Sequence, residues 1–362
     1  MSFSVYKETS PPDGHIYKLM QLPKELLDYI KTSRNVLEFK SPALGRNHLV
    51  LCTESNTYTV RQMNHSNTQL LVEDLLEPRI GKSLLNTFGL SELESSNNLL
   101  VVGLCSYLYE LTPTQGDIEI AGLQVYDGTE ALLSVKTCKK FAELVNDSPI
   151  AARSFQKRWH QLCGSTVNDQ AVILAPDFVC DALYALVSVT IAEELNVFTL
   201  DAMTTRMVRE NRKFTPSVVE TICGKFCDPD DNRLTLNQAA IAKWFGVATL
   251  RKLRGVSTDK DLLLQWKSSL PPFFNALLNL KSLRGHYYRP LLGAILHLDR
   301  AGLSTDIHGR IKEMFLLVKK WDYDEFLPYV DEFIPATKKA DSVILKYAKK
   351  KRAGKSFFVC PR

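Results

Sequence analysis

The apolar periodicity of the chain changes near Leu132: before it apolar residues fall in short β-type runs, and after it they recur at helical spacing. One core cannot serve both patterns over 362 residues, so the sequence predicts an α+β chain of several domains. In the first part, Leu49 to Cys52 and Thr57 to Gln62 flank the turn-forming Glu54-Ser55-Asn56, with Tyr58 and Val60 alternating with polar residues. That pattern predicts a β-hairpin. Gln69 to Val72, Leu99 to Leu111 and, more weakly, Asp117 to Leu123 read as further strands, and Glu92 to Asn98 as an exposed loop. These few short strands show no obvious way to close a barrel, which leaves unpaired edges. Pairing with strands of another chain is one way to satisfy their edges.

Beyond Leu132 the sequence predicts helices punctuated by brief strands. Thr137 can cap a helix to Val145, and Ser148-Pro149 opens another through Trp159 to Gly164. Gln170 to Leu174 reads as a strand, and Pro176 opens a nearly all-apolar helix to about Leu195, the core of its segment. Thr204 to Lys213 reads as a polar linker. Thr215 to Phe226 is a helix ended by the acidic loop CDPDDN (227–232). Asn237 caps a short helix through Trp244, and Gly246 breaks it before Val247 to Leu253 continues at a new angle. Thr258 begins a helix through Trp266 that Pro271-Pro272 ends, and Leu278 to Tyr288 reads as a hairpin around Arg284-Gly285. An apolar stretch at Ala294 to Leu298, a helix with Ile307, Ile311, Met314, Phe315 and Val318 on one face, and a helix at Tyr323 to Phe333 follow. A basic helix and a closing strand end the chain. Helices followed by a β-wing thus recur three times, in segments of roughly 70–80 residues, the rhythm of tandem winged-helix domains.

Charge is concentrated at one end. Residues 338–362 hold nine Lys/Arg against the single acid Asp341, a balance of +8, so the remainder of this +5 chain carries −3. Such a footprint suits a polyanion. On a helical projection of Asp341 to Arg352, Val343, Ile344, Tyr347 and Ala348 share one arc, and Lys346, Lys349 and Lys350 the next. Relief of the helix dipole explains Lys351 and Arg352 before the cap Gly354. Phosphate contact explains the full set of Lys346, Lys349, Lys350, Lys351, Arg352 and Lys355, without specifying sequence. KKKR (349–352) also fits a nuclear-import signal. A second basic group, Lys139, Lys140, Arg153, Lys157 and Arg158, reads on its own as the solvated face of two helices.

Catalytic motifs fail one by one. Ile80-Gly81-Lys82-Ser83 has Leu76 where a phosphate loop needs glycine, and the cluster at Asp228 has Arg233 and Ala239 where a calcium loop needs Gly and Glu. Cys223 and Cys227 have no second pair at zinc spacing, and His160 with Cys163 lacks a third orienting group. The eight cysteines show no framework of close pairs, as in reduced cytosolic or nuclear proteins. No apolar run reaches the ~18 residues that span a bilayer. The polar N-terminus MSFSVYKETSPPDG is unlike a secretory or transit signal. No enzymatic activity, cofactor, metal or membrane contact is expected.

Five blocks carry a resemblance along essentially the whole chain: LCTESNTYTVRQMNHSNTQLLV (51–72), KFAELVNDSP (140–149), AKWFGVATLRKL (242–253), QWKSSLPPFF (265–274) with LRGHYY (283–288), and LKYAKKKRAGKSFFV (345–359). They resemble the family of the sister-chromatid-cohesion subunit of the alternative replication factor C clamp loader. The resemblance implies a non-catalytic, nuclear, chromatin-associated protein. Its β-rich domain (1–125) would interlock with the small chromosome-transmission-fidelity subunit and the C-terminal tail of the large clamp-loader subunit. The strands bearing Leu49, Leu51, Tyr58, Val60, Leu70 and Val72 are assigned to that contact. Three winged helices would follow at 126–212, 213–290 and 291–362. The assembly would reach the replication factor C small subunits indirectly and bind single- and double-stranded DNA. It would also bind the catalytic region of DNA polymerase epsilon, for which Lys139, Lys140, Arg153, Lys157 and Arg158 are the assigned face, and act on the sliding clamp at forks. ATP hydrolysis would belong to other subunits. Three alternatives stand beside this reading. One is a winged-helix transcription regulator, disfavoured because the basic stretch offers lysines rather than an Asn-, Gln- or Arg-rich face for base edges. Another is a hydrolase or other enzyme, which a pocket with perturbed titratable groups would revive. The third is a pure interaction scaffold whose basic tail serves only import.

Overall fold

A computed structural model describes residues 4–7, 17–33, 35–42, 49–74, 98–129, 139–334, 338–354 and 356–362. The expected loop at Glu92 to Asn98 falls almost wholly outside these residues, as does the rejected phosphate loop. Among the described residues the fold is mixed α+β, with several small sheets and eleven α-helices. Two compact units form: Met1–Ala121 with Lys140–Arg158, and Gly122–Lys139 with Trp159–Arg362.

In the first unit the expected hairpin is present: β4 (Val50–Cys52) pairs with β5 (Thr57–Asp74), Leu51 opposite Tyr58, and the Thr53 hydroxyl accepts the Asn56 N–H at 2.9 Å to close the turn. The third run is no separate strand. β5 continues through it and pairs antiparallel along β6 (Asn98–Thr114), and the polar HSNT is absorbed as a register shift between Asn64 and Gln69. β1 (Ser4–Lys7) and β2 (Leu19–Gln21) both join the other edge of β6 in parallel, and β3 (Glu38–Lys40) joins β4, giving six strands. No strand forms at Asp117 to Leu123. Helix α1 (Lys24–Thr32) lays Leu26 into a small core with Leu51, Tyr58 and Leu111. The β4–β5 turn also receives the start of a helix: the Arg153 N–H donates to the Glu54 carbonyl and the Ser154 hydroxyl to that of Ser55. That helix, α3 (Ala152–Gln161), follows α2 (Phe141–Asp147), and Phe141 meets Phe155 edge to face.

The second unit begins with β7 (Gln124–Tyr126), β8 (Gly164–Val167) and β9 (Gln170–Leu174) in the order β7–β9–β8. Asn168 and Asp169, both at positive φ, turn β8 into β9. Helix α4 (Pro176–Ala192) is the core element its composition foretold, with Leu183, Leu186 and Val187 fully buried. The expected polar linker is instead helix α5 (Leu200–Glu210), capped by Thr199; Met203 and Met207, four residues apart, are its buried stripe. Helix α6 (Pro216–Phe226) is capped by Thr215, and the acidic CDPDDN is a hairpin of β10 (Cys227–Asp230) and β11 (Arg233–Leu236) rather than a loop.

Gly246 does not break the next helix, α7 (Gln238–Lys252). A Cβ there would lie 2.7 Å from the Trp266 ring, so glycine lets the helix approach Trp266, whose indole N–H donates to the Ala242 carbonyl at 2.8 Å. β12 (Ser257–Thr258) leads into α8 (Asp259–Ser269), and a 3-10 turn over Leu280–Leu283 replaces the hairpin expected at Arg284-Gly285. β13 (Tyr287–Tyr288) pairs with β14 (Ala294–His297) instead, in a sheet of order β12–β14–β13. The pattern then repeats. Helix α9 (Ile307–Leu317), β15 (Trp321–Asp322), the short α10 (Tyr323–Phe326), α11 (Ala340–Ile344) and a hairpin of β16 (Ala348–Ala353) and β17 (Ser356–Pro361) build a sheet of order β15–β17–β16. Met314, Trp321, Phe326, Tyr329, Ile344 and Val359 fill the core beneath it.

Candidate nucleic-acid interface

The basic helix expected over Asp341 to Arg352 stops at Ile344, and KKKR lies on a strand. Ala, Lys and Arg favour helix by a few tenths of a kcal/mol per residue. Tertiary pairing overrides that preference: every residue of β16 has a partner on the apolar β17, and Ala348 and Val359 close the core.

Strand geometry sorts the lysines by alternation. Lys350, opposite Val359, turns inward. Its ammonium lies 2.8 and 2.9 Å from the two Asp341 carboxylate oxygens, 3.9 Å above the Tyr323 ring and 4.7 Å from that of Phe357. The bond to Lys350, aided by that from the Tyr323 hydroxyl, holds the Asp341 carboxyl below its usual range. Burial, with the bond to Asp341 second, pushes the Tyr323 phenol up to about 12. Lys349 and Lys351 sit on the opposite face and are exposed, Lys351 across from Phe358. The Lys320 ammonium lies 4.0 Å above that same Phe358 ring. Lys346 is exposed in the turn before β16, and Arg352, also exposed, donates to the Gly354 carbonyl at 3.1 Å. Lys355 lies outside the described residues. The outer face therefore presents Lys320 and Lys351 at one aromatic ring, with Lys349 opposite Cys360 on the same face. Sequence reasoning missed Lys320, although Lys319-Lys320 directly precedes Trp321.

The second basic group is divided between the two units. Lys140 and Lys157 are exposed, and Arg153 is exposed with its guanidinium 2.6 Å from Glu54. Arg158 is half-buried, its Nε without a hydrogen-bond partner among the described residues. Lys139 belongs to the other unit, where its carbonyl accepts the Ala171 N–H. Of the strand residues assigned to partners, Leu49, Leu70 and Val72 are exposed by 40%, 52% and 45%, Val60 is half-buried, and Leu51 and Tyr58 are buried against α1.

His160 is buried 4.0 Å from Glu220, and desolvation outweighs that carboxylate to lower its pKa. The Lys225 ammonium donates to the Cys163 sulfur at 2.9 Å and to the Gln161 carbonyl at 2.6 Å. The Cys227 thiol is pushed far up, first by its bond with Cys223 and then by burial. Among the described residues no group of three His, Cys, Asp or Glu side chains could hold a metal ion.

Fold and site define a chain of small α+β modules that ends in a lysine-faced hairpin. The family profile described as "Sister chromatid cohesion protein Dcc1" matches residues 17–330, and the chain belongs to that family. It is 29% identical to the "Sister chromatid cohesion protein DCC1" of Saccharomyces cerevisiae over 391 aligned positions, which cover 99% of this chain and 100% of the yeast protein. It is 21% identical to the "Probable sister chromatid cohesion protein DCC1" of Dictyostelium discoideum, covering 92% of this chain and 90% of that one.

Proposed function

We propose that this chain is a non-catalytic subunit of an alternative replication factor C clamp loader. It acts on chromatin in the nucleus, supports sister chromatid cohesion, and touches DNA through the outer face of its last hairpin. The observation that carries the reading is the split of the KKKR run: Lys350 is held inside by Asp341, while Lys349 and Lys351 stand in solvent on the face where Lys320 lies over Phe358. Lysines aimed outward without neighbouring base-reading amides suit phosphate and not sequence.

The helical segments behave as winged helices. Two of them share one order, helix, two-residue strand, helix, helical turn and hairpin, the last of them with the short α11 added before its hairpin, and in both the last strand is in the middle of its sheet. The sheet β7–β9–β8 has the same strand order, though β7 joins in parallel. In the first unit, the exposed Leu70 and its opposite Leu104, with Val72, continue the sheet beyond the small core. Strands of the small chromosome-transmission-fidelity subunit and the tail of the large clamp-loader subunit complete it there. Polymerase epsilon docks on the exposed face of α3 that bears Arg153 and Lys157.

Purification of the full-length chain from cells tests the assembly. The clamp-loader subunits and polymerase epsilon should co-purify, and the double change Arg153→Glu, Lys157→Glu should shed the polymerase alone. Recovery without clamp-loader subunits would overturn the reading.

A further inference from the structure

The C-terminal core carries a second cationic feature. An open cavity of about 250 Å³ lies against the end of β17, lined among others by His308, Lys312, Phe315, Lys319, Tyr347 and Arg362. Its volume is just under the roughly 300–1,000 Å³ of sites for whole small-molecule ligands, which leaves room for one planar ring. The walls match that shape. Tyr347 is half-buried, the His308 ring centroid is 6.0 Å from its own, and the buried Phe315 closes the apolar side.

The cations are unspent. Lys312 and Lys319 are exposed and make no ion pair or hydrogen bond among the described residues. Arg362 gives one donor to the Leu345 carbonyl at 2.6 Å, and a guanidinium has five. An aromatic-walled slot of one-ring size with free cations at its rim has the chemistry of single-strand recognition, in which bases stack on rings and phosphates meet Lys and Arg.

We infer that this cavity takes an unpaired base of single-stranded nucleic acid. The base lies against Tyr347, and the flanking phosphates meet Lys312, Lys319 and Arg362. A duplex cannot use the slot without extruding a base. The inference rests on the DNA reading above and adds a division of labour: the outer hairpin face holds any phosphate backbone, and the slot holds only unstacked strand.

Binding of a labelled oligo-dT and of a blunt duplex of equal length, at one salt concentration, separates the two ideas. Tyr347→Leu should weaken oligo-dT binding about tenfold and leave the duplex unchanged. Because Tyr347 also packs on the core, the exposed pair Lys312→Ala, Lys319→Ala is the second arm, expected to weaken oligo-dT selectively. Oligo-dT binding that survives that pair, or duplex binding that falls as far, overturns the slot. If the unaltered chain binds neither probe, the DNA reading itself fails.

Discussion

Lys350 and Asp341, nine residues apart, form a two-oxygen ion pair of 2.8 and 2.9 Å that ties the last hairpin to the helix before it. One lysine of a four-cation run is therefore structural. Lys350→Ala should cost about 1 kcal/mol of stability, since the carboxylate is nearly half exposed and solvent screens it, and should leave DNA affinity nearly unchanged. The pair Lys349→Ala, Lys351→Ala should do the reverse, flattening the slope of log affinity against log salt by roughly 1.5 with no loss of melting temperature. Thermal melts and salt titrations of the three proteins decide it. A Lys350 variant that loses as much salt dependence as the outer pair would refute the partition.

Gly246 sets helix propensity against packing. Alanine in a helix interior is worth up to about 1 kcal/mol over glycine. The added carbon, however, would stand 2.7 Å from Trp266 and 2.8 Å from Leu283, both fully buried. Overpacking should win, with Gly246→Ala destabilising by about 1–3 kcal/mol in urea denaturation. A neutral or stabilised variant would mean that Trp266 can move aside.

The sequence made several elements legible because their signals are local. Thr215, Asn237 and Thr258 cap helices with their own side chains, and Leu51 and Tyr58 pair across a short turn. What it hid depends on distant partners. Lys349 to Arg352 look helical until the apolar β17 offers a ladder. Gly246 looks like a break until Trp266 lies over it. The helix Leu200–Glu210 was obscured by charge, although Met203 and Met207 carry its buried stripe. At the candidate site the run of cations was visible in the sequence. Which of them face solvent was not, because assuming a helical period where the strand period applies hid the inward turn of Lys350.

If partner strands complete the six-stranded sheet, the exposed part of β5 yields a prediction about assembly. Leu70 and Val72 are exposed by 52% and 45% and lie on a strand already paired with β6. Changing both to Lys should therefore spare the fold of this chain while abolishing co-purification of the clamp-loader partners. Retained partners, with the fold confirmed by circular dichroism, would move that contact elsewhere.

His286 supplies the pH dependence. Burial first, then the neighbouring Lys243, Arg251 and His297, bring its pKa down from 6.5 to about 4, and burial with Arg251 lowers that of His297 in the same direction. A histidine whose folded pKa lies below its unfolded one is held neutral by the fold. The unfolded chain then takes up the proton first, so stability is intact above about pH 6.5 and falls as the pH drops towards 4. Most carboxylates titrate below about pH 5, so the interval from 6.5 to 5 isolates the histidines. Urea midpoints should fall across that interval, and His286→Asn, which cannot titrate, should reduce the fall. If the variant loses as much stability over the interval as the unaltered chain, His286 is already protonated in the fold or is not its source.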